Sequence, residues 1–401
     1  MSAAEPPPRT GRRLALAGLL ALAMGAGPLV NHGFAALSPV LIDELGLSAT
    51  RYGALWTVVF GVGALCTVPG GRLVDRFGPR PAMVGVFAAA AAGLAVAAFA
   101  PSYVWLVVAA VLGGLSQAQS NPATNLIISR TVPAGGQGVV LGVKQSGVQV
   151  AQFLVGLTLP TMALWWGRDT GFLVLALLPV LGLLATRPLV GPAPARPGGA
   201  RGSARERLPV HVWWVAAYAV VAGAAQQATN VYLPLYAHEG VGLPVARAGV
   251  LVAVVGGLGV VSRLLWGRGA DRLPDTRAPL QWVAAVTVVA VTAMLAARWA
   301  GEWLLWAGAT LFSAGSLAAN VLIVLVVVRT VPVAAVGRAS GWTSLALFGG
   351  FMLGPLLFGA MVDGTGGFVV PWVATGAAAV FLVLLTVVWR RVARAGGPAP
   401  A

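Results

Sequence analysis

Apolar runs of about twenty residues recur twelve times along the chain, each closed by a short loop carrying glycine, proline or arginine. Nothing else in the sequence limits the fold as tightly, because about 20 apolar residues are what a helix needs to cross a bilayer. The runs lie near 14–41, 51–70, 81–100, 103–129, 137–163, 171–189, 210–236, 246–266, 279–298, 302–328, 338–361 and 368–390. Only 9% of the 401 residues are charged, against about 25% in soluble domains. The expected fold is an all-α membrane protein of twelve transmembrane helices, with bends rather than breaks where glycine and proline interrupt the runs. Arg12 and Arg13 ahead of the first run imitate a secretory signal. That run is longer than a signal's apolar stretch and has no clear small-residue cleavage site, so it reads as the first span. The single cysteine, Cys66, leaves no disulfide framework, cysteine zinc site or iron–sulfur cluster, and no cofactor or metal is expected.

A net charge of +15 invites a nucleic-acid reading, but the arginines have a simpler role. Twenty of the 26 basic residues fall on the side that holds both termini; Arg51, Arg168, Arg247 and Arg298 fall on the other. Positive charge in short loops marks the cytoplasmic face, so both termini are expected in the cytoplasm and no nucleic-acid partner is expected. The longest polar stretch contains PAPARPGGARGSARER, a composition that suits a linker whose arginines can rest on anionic lipid. The chain then divides into a tail (1–13), a six-helix bundle (14–189), a cytoplasmic linker (190–209), a second six-helix bundle (210–390) and a tail (391–401).

The two bundles repeat each other. Asn31 matches Asn230, Asn121 matches Asn320, and Arg130-Thr-Val-Pro133 returns as Arg329-Thr-Val-Pro332, all 199 residues apart. Gly71, Asp75 and Arg76 return as Gly267, Asp271 and Arg272 after a small change of offset. A duplicated six-helix unit makes two bundles related by an axis along the membrane normal, with a substrate site between them near the midplane.

Residues 71–80, Gly71-Arg-Leu-Val-Asp75-Arg76-Phe-Gly78-Pro-Arg80, closely resemble the loop signature of the major facilitator superfamily, and Asp271 with Arg272 forms its shortened second copy. The resemblance covers roughly residues 10–395. It implies two pseudo-symmetric bundles, transport by rocker-switch alternating access, and a cytoplasmic latch at Asp75 facing the helix start at Gly337-Arg338 in the outward state. A carboxylate suits a helix N-terminus, and Gly71 and Gly78 would allow tight turns. Two features depart from the proton-coupled drug antiporters: the fourth span carries no basic residue, and the fifth lacks G-x-x-x-G-P, which occurs instead as Gly350-x-x-x-Gly354-Pro355 in the eleventh.

Ionisable residues inside a span are costly and so mark function. No carboxylate falls near the midplane, whereas two cations are embedded. Lys144, the one lysine of the chain, shares an arc of about 140° with Gln145, Gln149 and Gln152; a snorkelling stem that reaches the interface is the alternative. Arg263 lies four residues ahead of Gly267, a pattern that resembles the monocarboxylate and oxalate–formate branches of the superfamily, and its planar fork suits a carboxylate; structural pairing or snorkelling is the alternative. Polar stripes on neighbouring spans complete the candidate site: Asn31 and His32; Gln117, Asn121 and Asn125; Gln226 and Asn230; Asn320; and Trp342 as an aromatic lining. Such amides also cross-link helices at about 0.6–2 kcal/mol each. The gating set is Gly71, Asp75, Arg76, Gly78, Arg80, Asp271, Arg272 and Arg338.

The expected function is secondary active transport of a small organic solute, an organic anion such as a carboxylate, across the inner membrane of a bacterium. Proton co-movement, exchange for a counter-anion, or neither would accompany it, and a monomer would suffice. The alternative is export of a neutral or lipophilic compound. No grouping of His, Asp and Glu with a nucleophile points to an enzyme.

Overall fold

The structure, a computed structural model, describes residues 10–132, 137–191, 208–270 and 277–395. Every regular element among them is helical: α1 (Thr10–Ala36), α2 (Ser38–Leu45), α3 (Ala49–Phe77), α4 (Pro79–Ala98), α5 (Tyr103–Thr131), α6 (Gln137–Leu189), α7 (Val210–Leu235), α8 (Val245–Ala270), α9 (Ala278–Ala300), α10 (Trp303–Ala314), α11 (Ala319–Thr330), α12 (Val333–Thr365) and α13 (Val369–Ala395). Ten helical stretches are long and apolar enough to span a bilayer. One of them, α6, breaks at Gly167, where φ of 84° is a left-handed value that glycine adopts readily. Gly171 then lies back against Leu159, so α6 makes two crossings, 137–166 and 168–189. The 26-residue α7 is the twelfth. Its Gln226, Gln227 and Asn230 dilute its hydropathy because that face is turned into protein: both glutamines are buried.

Three elements differ from the expected spans. The first run ends early, at Ala36, and the chain re-enters as the short α2, which carries Pro39 in its first turn and stops at Gly46 with φ 57°. Proline has no N–H to continue a helix but fits a first turn. The tenth run breaks rather than bends: Gly315 ends α10 and a single 3₁₀ turn, Ser316–Ala318, leads into α11. A π-helical turn, Tyr236–Gly240, extends α7 at its far end.

Packing is continuous at one end of the molecule and divided at the other. In the half away from the termini, one buried cluster runs through both bundles, joining Leu29, Tyr52 and Trp56 to Tyr232, Phe358 and Trp372. In the half near the termini the core splits into a cluster around Leu20, Phe87 and Ile127 and another around Tyr218, Leu322 and Trp389. Two seams join the bundles in the shared half. Along α3 and α12, Thr57 donates to Met352 O at 2.8 Å, and Phe60 stacks on Phe348 at 6.1 Å. Along α6 and α8, Gly156 and Gly249 bring backbone against backbone where any side chain would collide. Further down α3, Leu65, Val68, Leu73 and Phe77 are exposed. The molecule is thus closed at the end opposite its termini.

Candidate functional site

Lys144 lies on the first limb of α6 and is 1% exposed. Its ammonium turns inward rather than toward an interface, donating to Asn121 Oδ1 at 3.1 Å, Thr124 Oγ1 at 3.0 Å and Asn125 Oδ1 at 2.6 Å, all on α5. The Thr124 hydroxyl donates its own proton to Ser120 O at 2.6 Å, which leaves its oxygen to accept. An ammonium has three donors, and all three are used. All three acceptors are neutral. Hydrogen bonds to a charged group return about 1.5–3 kcal/mol each, the same order as the several kcal/mol that burial of an ion costs. The bonds hold the charge in place without cancelling its field.

The face of α5 that carries Asn121 and Asn125 is turned away from α4. Seven residues earlier on the same meridian, Gly114 lies against Val59 and Val62 of α3, and α3 is the helix that meets α12. The opposite face, with Ser116 donating to Val86 O at 2.9 Å and Ala123 and Ile127 in the apolar cluster, packs on α4. Asn121 and Asn125 themselves are exposed.

The remaining expected residues form separate groups. Gln117 Nε2 donates to Asn31 Oδ1 at 3.0 Å, tying α5 to α1. His32, half-buried beside it, has a buried Nε2 with no hydrogen-bond partner. Gln152 Nε2 reaches across to Asn230 Oδ1 at 3.2 Å, a bond between the bundles. Gln149 is 2% exposed, packed where α8 passes at Gly259. Gln226 Oε1 and Asn320 Oδ1 are buried without partners. Gln145, one residue from Lys144, is exposed and outside its hydrogen-bond set. Trp342 stands apart: it is exposed and tilts against Trp213 at 5.7 Å.

In the expected gating loop, Gly78 ends α3 with φ 85° and its N–H returns to Val74 O at 2.9 Å, while Pro79 opens α4. Asp75 and Arg76 are exposed, Arg80 is half-buried, and Gly71 lies in the last two turns of α3. Arg338 is exposed on α12. Asp271 and Arg272 lie outside the described residues, as does the Arg263 side chain.

Two contributors had little signal in the sequence. Thr124 supplies a third of the ammonium's ligands from a position that reads as helix packing. Asp363, which reads as a solvated helix-end acid, bridges the bundles instead. Its carboxylate accepts from Ala49 N at 2.9 Å and from Thr50 N at 2.8 Å and Thr50 Oγ1 at 2.5 Å. Ser48 caps the next donor, Arg51 N, at 3.2 Å. The first-turn N–H groups of a helix lack partners of their own, and here the second bundle supplies them to the first. Tyr232 adds a hydroxyl donated to Ala49 O at 2.6 Å.

The duplication offers a comparison inside the chain. At the 199-residue offset, Asn121 becomes Asn320, but Thr124, Asn125 and Lys144 become Ile323, Val324 and Thr343. Thr343 is 2% exposed and donates only to its own helix, to Ala339 O at 3.0 Å. The second bundle folds without the ammonium cluster, so the six-helix scaffold does not require it.

Three lines of similarity agree with this architecture. An uncharacterized MFS-type transporter of Mycobacterium tuberculosis is 26% identical over 263 residues, which are 64% of this chain and 58% of that protein; the chain thus spans less than two thirds of that relative's length. A probable sulfoacetate transporter, SauU, of Cupriavidus necator is 22% identical over 381 residues, 87% of this chain and 86% of the relative. Among solved structures, a bacterial homolog of the human lysosomal transporter Spinster, inward-facing and occupied, superposes with a TM-score of 0.79 at 17% identity, covering 99% of this chain and all of that one. The nucleoside transporter NupG superposes at 0.77 with 13% identity, over 93% of this chain and 99% of its own. The sequence profile of the Major Facilitator Superfamily matches residues 14–297, and the chain, a multi-pass membrane protein, belongs to that superfamily.

Proposed function

We propose that this protein is a secondary transporter that carries a small organic anion, a carboxylate or sulfonate, across a bacterial inner membrane by alternating access, leaving its cargo chemically unchanged. The observation that carries the reading is a full positive charge, Lys144, buried among neutral oxygens. At about 6 Å and an effective dielectric of about 20, such a charge favours an anion by about 3 kcal/mol, roughly a hundredfold in affinity. A neutral hydrogen bond contributes about 1 kcal/mol. Charge therefore chooses the sign of the cargo, and the surrounding amides choose its shape. Of the acids at the helix ends, Glu44 and Glu302 are paired with Arg168 and Arg247 at 2.8 and 3.0 Å, and Asp363 caps α3. None answers Lys144. Arg263, on α8 of the opposite bundle, is the second cation of the reading, and sulfoacetate, for which the Cupriavidus necator relative is named a probable transporter, is an anion of the proposed class.

The arginine asymmetry puts both termini in the cytoplasm, so a molecule closed at the far end is facing inward. Importing an anion against a negative interior costs about 2.3 kcal/mol per charge per 100 mV. Import against the gradient then calls for a proton carried along or a second anion carried out; import down a steep gradient calls for neither. The half-buried His32 is the candidate proton carrier in the first case. In the opposite state Asp75, near Arg338, is the candidate cytoplasmic latch.

The test is counterflow in proteoliposomes preloaded in turn with sulfoacetate, acetate, malonate or methanesulfonate. Saturable exchange of at least one of them is expected, falling tenfold or more in Lys144→Met with the unfolding midpoint retained. Undiminished anion exchange in Lys144→Met, or flux of lipophilic solutes with no anion exchange, would overturn the proposal.

A further inference from the structure

We infer that Lys144 is a positioning residue, and that the side-chain amides of Asn121 and Asn125 are the groups that hold the anion, in a vestibule site nearer the cytoplasm than the midplane. The inference rests on the anion reading above and says which atoms carry it out. An ammonium offers hydrogens only, so each asparagine it touches must present oxygen to it. That fixes both amides in one orientation, with Oδ1 on Lys144 and the Nδ2 group on the other side. Both residues are exposed, on the face of α5 turned away from α4. Four N–H groups, polarised by the charge behind them, therefore lie on the exposed side of the helix, the side assigned as the wall of the vestibule. The two residues are one turn apart, about 6 Å along the helix, a spacing that a group with two or three acceptor oxygens can bridge. Asn125 lies five residues from Arg130 and Asn121 nine, which places the site about 8–14 Å from the end of that span.

Lys144 itself is poorly placed to touch cargo. It is 1% exposed and has no donor left, so a direct contact would require breaking one of three existing bonds. The internal repeat separates this arrangement from scaffold packing. Asn320 stands where Asn121 does, with Thr343 in place of the lysine, and its Oδ1 is left without a partner. Without the ammonium, that amide is not oriented in the same way.

The chain holds one lysine and five asparagines, so selective labelling resolves the two kinds of ligand in the intact protein. Purified full-length protein is titrated with acetate, malonate and methanesulfonate, following 15N signals of the lysine Nζ and the asparagine Nδ2 groups. Two asparagine signals are expected to move with saturation while the Nζ signal holds its position and its slow hydrogen exchange. In parallel, Asn121→Ala and Asn125→Ala are each expected to weaken the probe at least tenfold. Direct ligation by the lysine predicts the reverse, a displaced Nζ signal and binding unchanged or tightened when an asparagine is removed, and that result would overturn the assignment while leaving the anion reading intact. If none of the probes moves any signal or the melting temperature of the wild-type protein, the anion reading fails and the assignment with it. The labelled wild-type titration decides the matter even if an alanine variant does not fold.

Discussion

The three donors of one ammonium meet three oxygens on about one turn of α5, and Lys144 itself is buried; that set fits an ammonium and not a guanidinium. Arginine at position 144 would bring a planar fork with five donors into a space with three acceptors and would overfill it, at a cost of about 1–3 kcal/mol. Lys144→Arg is therefore expected to lower the unfolding midpoint and to leave anion exchange unrestored, although the formal charge is kept. Retention of both stability and exchange would show that only the charge matters. At this scale the sequence was partly legible. Helical spacing puts Gln117, Asn121 and Asn125 on one face, and the singularity of Lys144 among arginines singles it out. Spacing along one helix gives a face but not the depth of its neighbour, so it could not pair Lys144 with Asn121 rather than with Gln149, nor Gln152 with Asn230. It likewise gave Trp342 a depth without a direction, and the ring lies exposed beside Trp213.

Among the elements, the contact of α12 with α3 gives the end away from the termini its one charged link between the bundles among the described residues, Asp363. Asp363 takes two first-turn N–H groups of α3 and a hydroxyl, and these are charge-assisted bonds at the positive end of a helix dipole. They exist only while the bundles touch there. Asp363→Asn keeps the shape and removes the charge; losing about 1.4 kcal/mol or more shifts the closed-to-open ratio about tenfold. Spin labels at Arg51 and at Gly364, which has open space around it, are expected to report a larger population of long distances in the variant. An unchanged distribution would mean that the aromatic seam alone closes this end. The same helix explains the displaced glycine signature. Gly350 and Gly354 lie against Val220 O and Ala224 O of α7, so the small-residue pattern packs α12 onto α7 within one bundle. Elements were legible where lipid sets the rule, since a crossing must be long and apolar. The break at Gly315 and the reversal at Gly167 were less so, because hydropathy does not register a change of φ.

In the whole molecule the shared core at one end and the divided core at the other give the proposed alternating access its form: the seam away from the termini would open as the halves near the termini come together, with the duplicated bundles as nearly rigid bodies. The contact of Asp363 with Thr50 provides the means to stop that motion chemically. Replacing Cys66 by Ser leaves no native thiol, and Thr50→Cys with Asp363→Cys then places the only two thiols on positions whose side chains touch across the two bundles. Oxidation is expected to join the bundles at their outer ends and abolish counterflow, reductant to restore it, and either single-cysteine protein to be indifferent to oxidant. This outcome does not depend on which solute is carried, because under alternating access any cargo must pass that end. If the fully cross-linked protein exchanged substrate at the rate of the reduced one, the outer seam would be a permanent joint, and the two bundles would have to work by some motion other than rocking about the site between them.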